Sequence, residues 1–218
     1  QTAAPAGMNS LTTSRGKLFH LVLPDSSEVW LNAASTLKYP TAFDGRERVV
    51  TLTGEAYFEV RQQMNKPFKV KTMNGAEVRV LGTGFNINAY TNEPAITTTL
   101  LHGSVQMAVY NSQALLKPGQ QGTFSARISP AITVAQADTS YATAWKHGIF
   151  NFENANIQTV MKQLERWYDI DVVYENDIPD ITFAGKMERN LTLRQVLRIL
   201  EISNVHYRLE GKKLIISR

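Results

Sequence analysis

Apolar and polar positions alternate with a period of two through residues 49–90, in segments separated by turn residues. In the first segment Leu52, Gly54, Ala56, Phe58 and Val60 fall on one face and Thr53, Glu55, Tyr57 and Glu59 on the other, the pattern of a strand with one buried face. Residues 68–72 and 77–81 repeat it, Gly82 and Gly84 interrupt it, and Phe85, Ile87 and Ala89 resume it. Upstream, residues 18–23 and 28–32 flank turn chemistry at 24–27 and read as a hairpin, while 37–43, broken by Pro40, reads as an edge strand or irregular connection. Downstream, 97–110 holds two strand segments around His102 and Gly103, 114–116 a short one, and 124–134 one or two more. Short strands with no helical period between residues 18 and 134 predict an all-β domain built as a sandwich, a roll or a solenoid-like stack.

The pattern changes after residue 134. Residues 135–144 have no strong period, and beyond them strands alternate with helices. Ile157, Val160, Met161, Leu164 and Trp167 are spaced for one helical face, and Leu193, Val196, Leu197 and Leu200 for another. Thr192 with Gln195 three places on predicts a capping box at the start of the second helix. A shift of thirty-six residues superposes Asn156, Ile157, Val160, Met161, Leu164 and Glu165 on Thr192, Leu193, Val196, Leu197, Leu200 and Glu201. Strand segments precede the helices at 149–152 and 181–184 and follow them at 170–174 and 205–209, with 214–217 closing a final hairpin. The expected fold class is thus mainly β with a C-terminal α+β domain of two β-α-β repeats sharing one small sheet. The expected divisions are a leader at 1–13, the all-β domain at 14–134, a linker at 135–143 and the α+β domain at 144–218.

Composition supports two cores and removes several chemistries. A chain of 218 residues with 43% hydrophobic side chains is long enough for two modest cores. The net charge of +4 is spread along the sequence rather than gathered in a stripe, which argues against nucleic-acid binding. With no Cys there is no disulfide, no thiolate chemistry and no Cys-based zinc site. No apolar run reaches eighteen residues, and QTAAPAGMNS at the start reads as a disordered leader or juxtamembrane linker.

No catalytic constellation emerges. Glu55 and Glu59 share a strand face, but four residues of strand rise hold them about 13 Å apart, beyond the reach of a carboxylate pair acting on one glycosidic bond. They read as ordinary exposed strand carboxylates. Gly82 and Gly84 lack the third glycine and following helix of a dinucleotide fingerprint, and fit a bend or bulge. His20, His102, His147 and His206 are scattered outside any metal-ligand spacing, and Ser104 lacks a nucleophile elbow. No catalytic residue, cofactor or metal is therefore expected. Trp167 continues a helical apolar stripe and reads as a core anchor, while Trp30 and Tyr57 lie on the polar faces of their strands. Either is solvent-facing or covered by a second sheet; exposed aromatics in a β domain can bind sugars, which keeps a carbohydrate-binding β module as the alternative reading.

Several runs resemble a known family. GEAYFEV (54–60), PFKVKT (67–72) and VLGTGFNINAY (80–90), flanked by LPDSSEVWLNAAS (23–35), TTLLHGSVQM (98–107) and LKPGQQ (116–121), resemble the FecR family of anti-sigma regulators in the family's order. Ser26 departs from it, standing where the family usually has Gly in an LPDG turn, and implies either a turn without positive φ or local strain. Residues 150–174 and 190–218 resemble the domain that follows the FecR region in Bacteroidetes-type members, which is similar to the short secretin and TonB N-terminal fold. The resemblance implies the periplasmic portion of a single-pass inner-membrane protein, whose anchor and sigma-factor-binding cytoplasmic segment lie outside this chain. It implies as partner the periplasmic signalling domain of a TonB-dependent outer-membrane receptor. A sheet edge at Leu214, Ile215, Ile216 and Ser217 is the candidate partner-binding site, accepting a strand by backbone pairing unless the rest of the chain covers it.

Overall fold

The computed structural model describes residues 7–125, 127–175, 180–203 and 205–217. Two compact units emerge, one formed by Gln1–Ser14 with Leu18–Thr143 and the other by Arg15–Lys17 with Ala144–Arg218. The first unit comprises β1 (Met8–Thr12), β2 (Phe19–Val22), β3 (Glu28–Leu31), β4 (Thr36–Pro40), β5 (Arg48–Glu59), β6 (Phe68–Thr72), β7 (Ala76–Val80), β8 (Gly84–Ala89), β9 (Ile96–His102), β10 (Val105–Val109), β11 (Ser112–Leu116), β12 (Gln120–Ser125) and β13 (Ser129–Gln136), then a short helix, α1 (Thr139–Thr143).

The long strand β5 belongs to two leaves at once. Its first half pairs with β4 and, in parallel, with β6, giving the order β1-β4-β5-β6-β7-β10-β11. From Gly54 onward it pairs with β3 and β8, giving β2-β3-β5-β8-β9-β12-β13. The leaves share one core: Phe58 stacks on Phe85 at 5.2 Å between ring centroids within its leaf and meets Phe68 of the other leaf at 6.1 Å. Each fully buried ring of this kind contributes about 1.5–3 kcal/mol. At the far side Ile132 N donates to Ser112 Oγ at 2.8 Å, drawing β13 beside β11 and nearly closing the sheet. Of the three architectures the sequence leaves open, the result is a sandwich whose leaves share a strand.

Some expectations shift. Residues 1–6 of the expected leader lie outside the described residues, while Met8–Thr12 pairs with β4 as an edge strand. β4 is therefore interior rather than an edge, and Pro40 is tolerated because it ends the strand, opposite Met8. In the stretch expected as a linker, Ala135 and Gln136 continue β13 against β12, and Asp138 caps α1 by accepting from Ser140 N at 2.8 Å. Gly84 sits at a register shift between β8 and β9, a bulge as its spacing predicts.

The turn at 24–27 takes the strained alternative. Ser26 has φ 66°, in the left-handed region, while Leu23 N donates to Ser27 O at 2.8 Å and Ser26 N to Leu23 O at 2.9 Å. A non-glycine residue there costs of order 1 kcal/mol. Ser26→Gly is expected to raise the thermal midpoint of the first unit by roughly 2–4 °C, read by calorimetry; an unchanged or lower midpoint contradicts the strain argument.

The second unit opens with a 3-10 turn (Ala144–His147), followed by β14 (Ile149–Asn151), β15 (Ala155–Asn156), α2 (Ile157–Tyr168), β16 (Asp171–Tyr174), β17 (Thr182–Phe183), β18 (Lys186–Glu188), α3 (Leu193–Ile202), β19 (His206–Glu210) and β20 (Lys213–Ser217). Asn156 caps α2 by accepting from Thr159 N at 2.8 Å, and the Thr192–Gln195 capping box starts α3. The thirty-six-residue shift carries β14 onto β18, α2 onto α3 and β16 onto β19. The strand equivalent to β14 is thus β18 rather than the 181–184 segment, and the two pair antiparallel through Phe150 opposite Met187. The halves do not share a single sheet: β14–β18 and β15–β17 form two-stranded ladders, and only β16, β20 and β19 make a three-stranded one.

Candidate recognition surface

The residues expected at an open edge lie in the middle of that three-stranded sheet. β20 is paired in parallel with β16 on one side and antiparallel with β19 on the other, so Leu214, Ile215, Ile216 and Ser217 have no free edge for a partner strand. Leu214 and Ile216 are core residues, and Ile215 is buried on the opposite face. A continuous apolar run such as LIIS is what a strand covered on both faces looks like, so the signal for a central strand was already there.

Among the described residues the edges of β16 and β19 are the ones with no further strand beside them, and they differ. On β16 the inward bonds run from Asp171 N to Lys212 O at 2.8 Å and from Glu175 N to Ile216 O at 3.0 Å, which turns Val172 outward. There Val172 N donates to Glu165 Oε1 of α2 at 3.2 Å, so this edge is partly capped from within. On β19 the turn at Gly211, with φ 60°, joins Glu210 to its partner Lys213. Antiparallel alternation then points the backbone groups of Leu209 and Tyr207 away from β20. Leu209 is 44% exposed, and Ile202, at the end of α3 just before this strand, is 84% exposed. Across the outer face Arg208 pairs with Glu210 at 2.7 Å and with Glu175, beyond β16, at 3.1 Å, tying the three strands together.

Of the two β5 carboxylates expected to be exposed, Glu59 is partly exposed and Glu55 is not. Glu55 is buried, accepting from Asn32 Nδ2 at 2.7 Å and Asn86 Nδ2 at 3.0 Å. Tyr57 is buried too and donates to Glu59 Oε2 at 2.8 Å; burial first, then that bond, raises its phenol far above the ordinary range. His102 Nε2 lies 2.9 Å from Glu59, and His20, 2.8 Å from Glu28, stacks on Trp30 at 4.3 Å. Trp167 is the core anchor its stripe predicts, its indole N–H donating to Arg189 O at 2.8 Å. Among the described residues no cluster of three or more His, Asp or Glu is arranged to hold a metal. The larger shifts move phenols away from neutrality: burial pushes Tyr168 and Tyr174 up to about 12, Tyr174 with help from Glu165.

A concavity, invisible in the sequence because its walls come from separate segments, lies on the first unit. It encloses about 480 Å³ and is lined by Gln62, Met64, Arg79, Leu81, Ser104 and Leu115, with Met64 and Leu115 about two-thirds exposed.

The chain thus combines a sheet-rich unit with a small duplicated α+β unit. The FecR protein model matches residues 9–106, and the C-terminal FecR model matches residues 149–216. Two crystal structures, at 1.65 and 2.50 Å resolution, of a protein from Parabacteroides distasonis ATCC 8503 assigned by inference as an anti-sigma factor align at TM-scores of 0.88 and 0.89, both with 30% identity. They cover 95% and 97% of this chain and 98% and 99% of their own. No curated protein matches. The chain belongs to the FecR family of anti-sigma factors. No helix among the described residues is long and apolar enough to cross a membrane.

Proposed function

We propose that this chain is the periplasmic sensor portion of a membrane-anchored FecR-type anti-sigma factor, without enzymatic activity. It relays the state of an outer-membrane TonB-dependent receptor by binding that receptor's periplasmic signalling domain. The sigma factor is reached through a cytoplasmic segment of the same protein, beyond a single membrane span. Family membership supports the regulatory role, and the observation that carries the binding mode is the uncapped β19 edge beside the exposed side chains of Leu209 and Ile202. A strand of the signalling domain adds there, with main-chain bonds providing affinity and alternate side chains selectivity.

Calorimetric titration with the signalling domain of the cognate receptor tests this, with a glycan panel as control. Leu209→Pro removes an outward N–H while leaving the ladder to β20 intact, and is expected to weaken binding about tenfold or more without unfolding the unit. Unchanged affinity of that variant removes the β19 mode. Binding to glycans and not to the receptor domain returns the carbohydrate reading.

A further inference from the structure

The exposed side of α3 is built unlike that of its twin, α2. Val196, Leu197 and Leu200 face the core of the second unit, whereas Ile199 and Ile202, three places apart and so on one stripe of the helix, are 43% and 84% exposed. The thirty-six-residue shift sets Gln163 and Arg166 at the same two places in α2, so the fold does not require isoleucine at either. In the first repeat this helix end is also covered. Arg166 is buried, and Gly16, which belongs to the same unit, donates from N to Arg166 O at 2.9 Å. In the second repeat the apolar stripe is bare.

A basic stripe runs beside it. Arg194 and Arg198 are both exposed, and neither enters an ion pair among the described residues. Four places apart they are neighbours on the helix surface, where like charges oppose helix formation, and an anion lying across both would offset that repulsion. This stripe borders the β19 edge: burial first, then a side-chain bond to Glu201 and that carboxylate's charge, raise the phenol of Tyr207, and the charge of Arg194 acts on it in the opposite sense. Glu201 is thus taken up by Tyr207. Its counterpart in the first repeat, Glu165, instead accepts from Val172 N and caps β16, so the duplicated glutamate serves one edge and not the other. Along β19 two arginines without ion-pair partners face one carboxylate that is already hydrogen-bonded.

We propose that the strand received at β19 is acidic, with its carboxylates across Arg194 and Arg198 and its aliphatic side chains against the exposed Ile199, Ile202 and Leu209. The inference rests on the β19 reading above and names the chemistry of what binds there. A basic strand would bring its cations against two guanidinium groups that have no carboxylate of their own, so charge complementarity selects the acidic one.

Blocked octapeptides in which Val alternates with Glu, Lys or Gln test it on the whole chain, by fluorescence anisotropy and with no receptor present. The Glu peptide is expected to bind about tenfold more tightly than the Lys peptide, and the double variant R194E/R198E to reverse that order. Both positions are exposed, so the double variant is expected to fold as the parent does, with an unchanged thermal midpoint. Equal affinities for the three peptides, or a preference for Glu that persists in the double variant, overturn the proposal while the β19 edge stands, because peptides still bind. Binding by none of the peptides, or undiminished binding in Leu209→Pro, removes the edge and the proposal together.

Discussion

Arg48→Met is expected to destabilise the first unit by about 3–5 kcal/mol, because it strands a buried carboxylate and several carbonyls together. Arg48 has no exposed surface. Its Nη1 donates to Asp25 Oδ2 at 2.7 Å and to Arg61 O at 2.9 Å, its Nε to Lys66 O at 2.9 Å, and its Nη2 to Leu81 O at 3.3 Å. The guanidinium carbon stands 5.3 Å from the Phe68 ring centroid. Asp25 is also held by Ser27, through N at 3.0 Å and Oγ at 2.8 Å, while Ser27 Oγ accepts from Arg61 N at 3.0 Å. One side chain thus ties together the turn before β3, the start of β5, the loop before β6 and the turn after β7. Methionine fills similar volume but donates nothing, so the loss reads the polar network rather than a cavity. Urea titration followed by far-UV circular dichroism measures it. The double variant R48M/D25N, which removes the uncompensated charge, is expected to recover part of the loss; a loss below about 1 kcal/mol in R48M alone contradicts the account.

Arg48 also marks where the sequence could have been read further. It lies in phase with Val50 and Leu52, the inward positions of β5, so period two places its charge in the core. The misreading of Glu55 has a different cause. A polar side chain on an alternating strand looks the same whether water or amide groups satisfy it, and only the fold brings Asn32 and Asn86 to Glu55. β1 was hidden because its sequence, MNSLT, carries little apolar alternation; its pairing with β4 comes from the backbone. In the second unit the helices were legible because capping and a 3.6-residue period are local signals. The sheet assignment was not, because which strands pair is decided at long range. β14 finds its own repeat equivalent, β18, while β16 and β19 flank β20. The surfaces suited to a partner are therefore properties of topology, and the edge expected at β20 moved to its neighbours.

The second large effect is expected at Gly54, where β5 leaves one leaf for the other. Gly54 has φ 94°, which side-chain-bearing residues rarely adopt, and a Cβ built on it would fall 2.7 Å from Ser35 Cβ and 2.9 Å from Ser35 Cα. The left-handed step at this residue turns the strand so that Leu52 pairs in one leaf and Ala56 in the other while both stay buried. Gly54→Ala combines backbone strain of about 1–3 kcal/mol with overpacking of about 1–3 kcal/mol, because the clash is with backbone that β4 holds in place. A loss of about 3–5 kcal/mol in urea unfolding is expected, with Ser35→Ala as the control that removes the hydroxyl's bonds to Glu55 N, Ala33 O and the Tyr90 hydroxyl without adding a methyl group at residue 54. The double variant G54A/S35G separates the two causes: it deletes the crowding Oγ and Cβ atoms of Ser35 but leaves both the strained φ and the backbone of residue 35 pressed against the new methyl group, so partial recovery is expected. Full recovery would assign the whole cost to side-chain crowding and remove the argument that β5 can bend between leaves only through glycine.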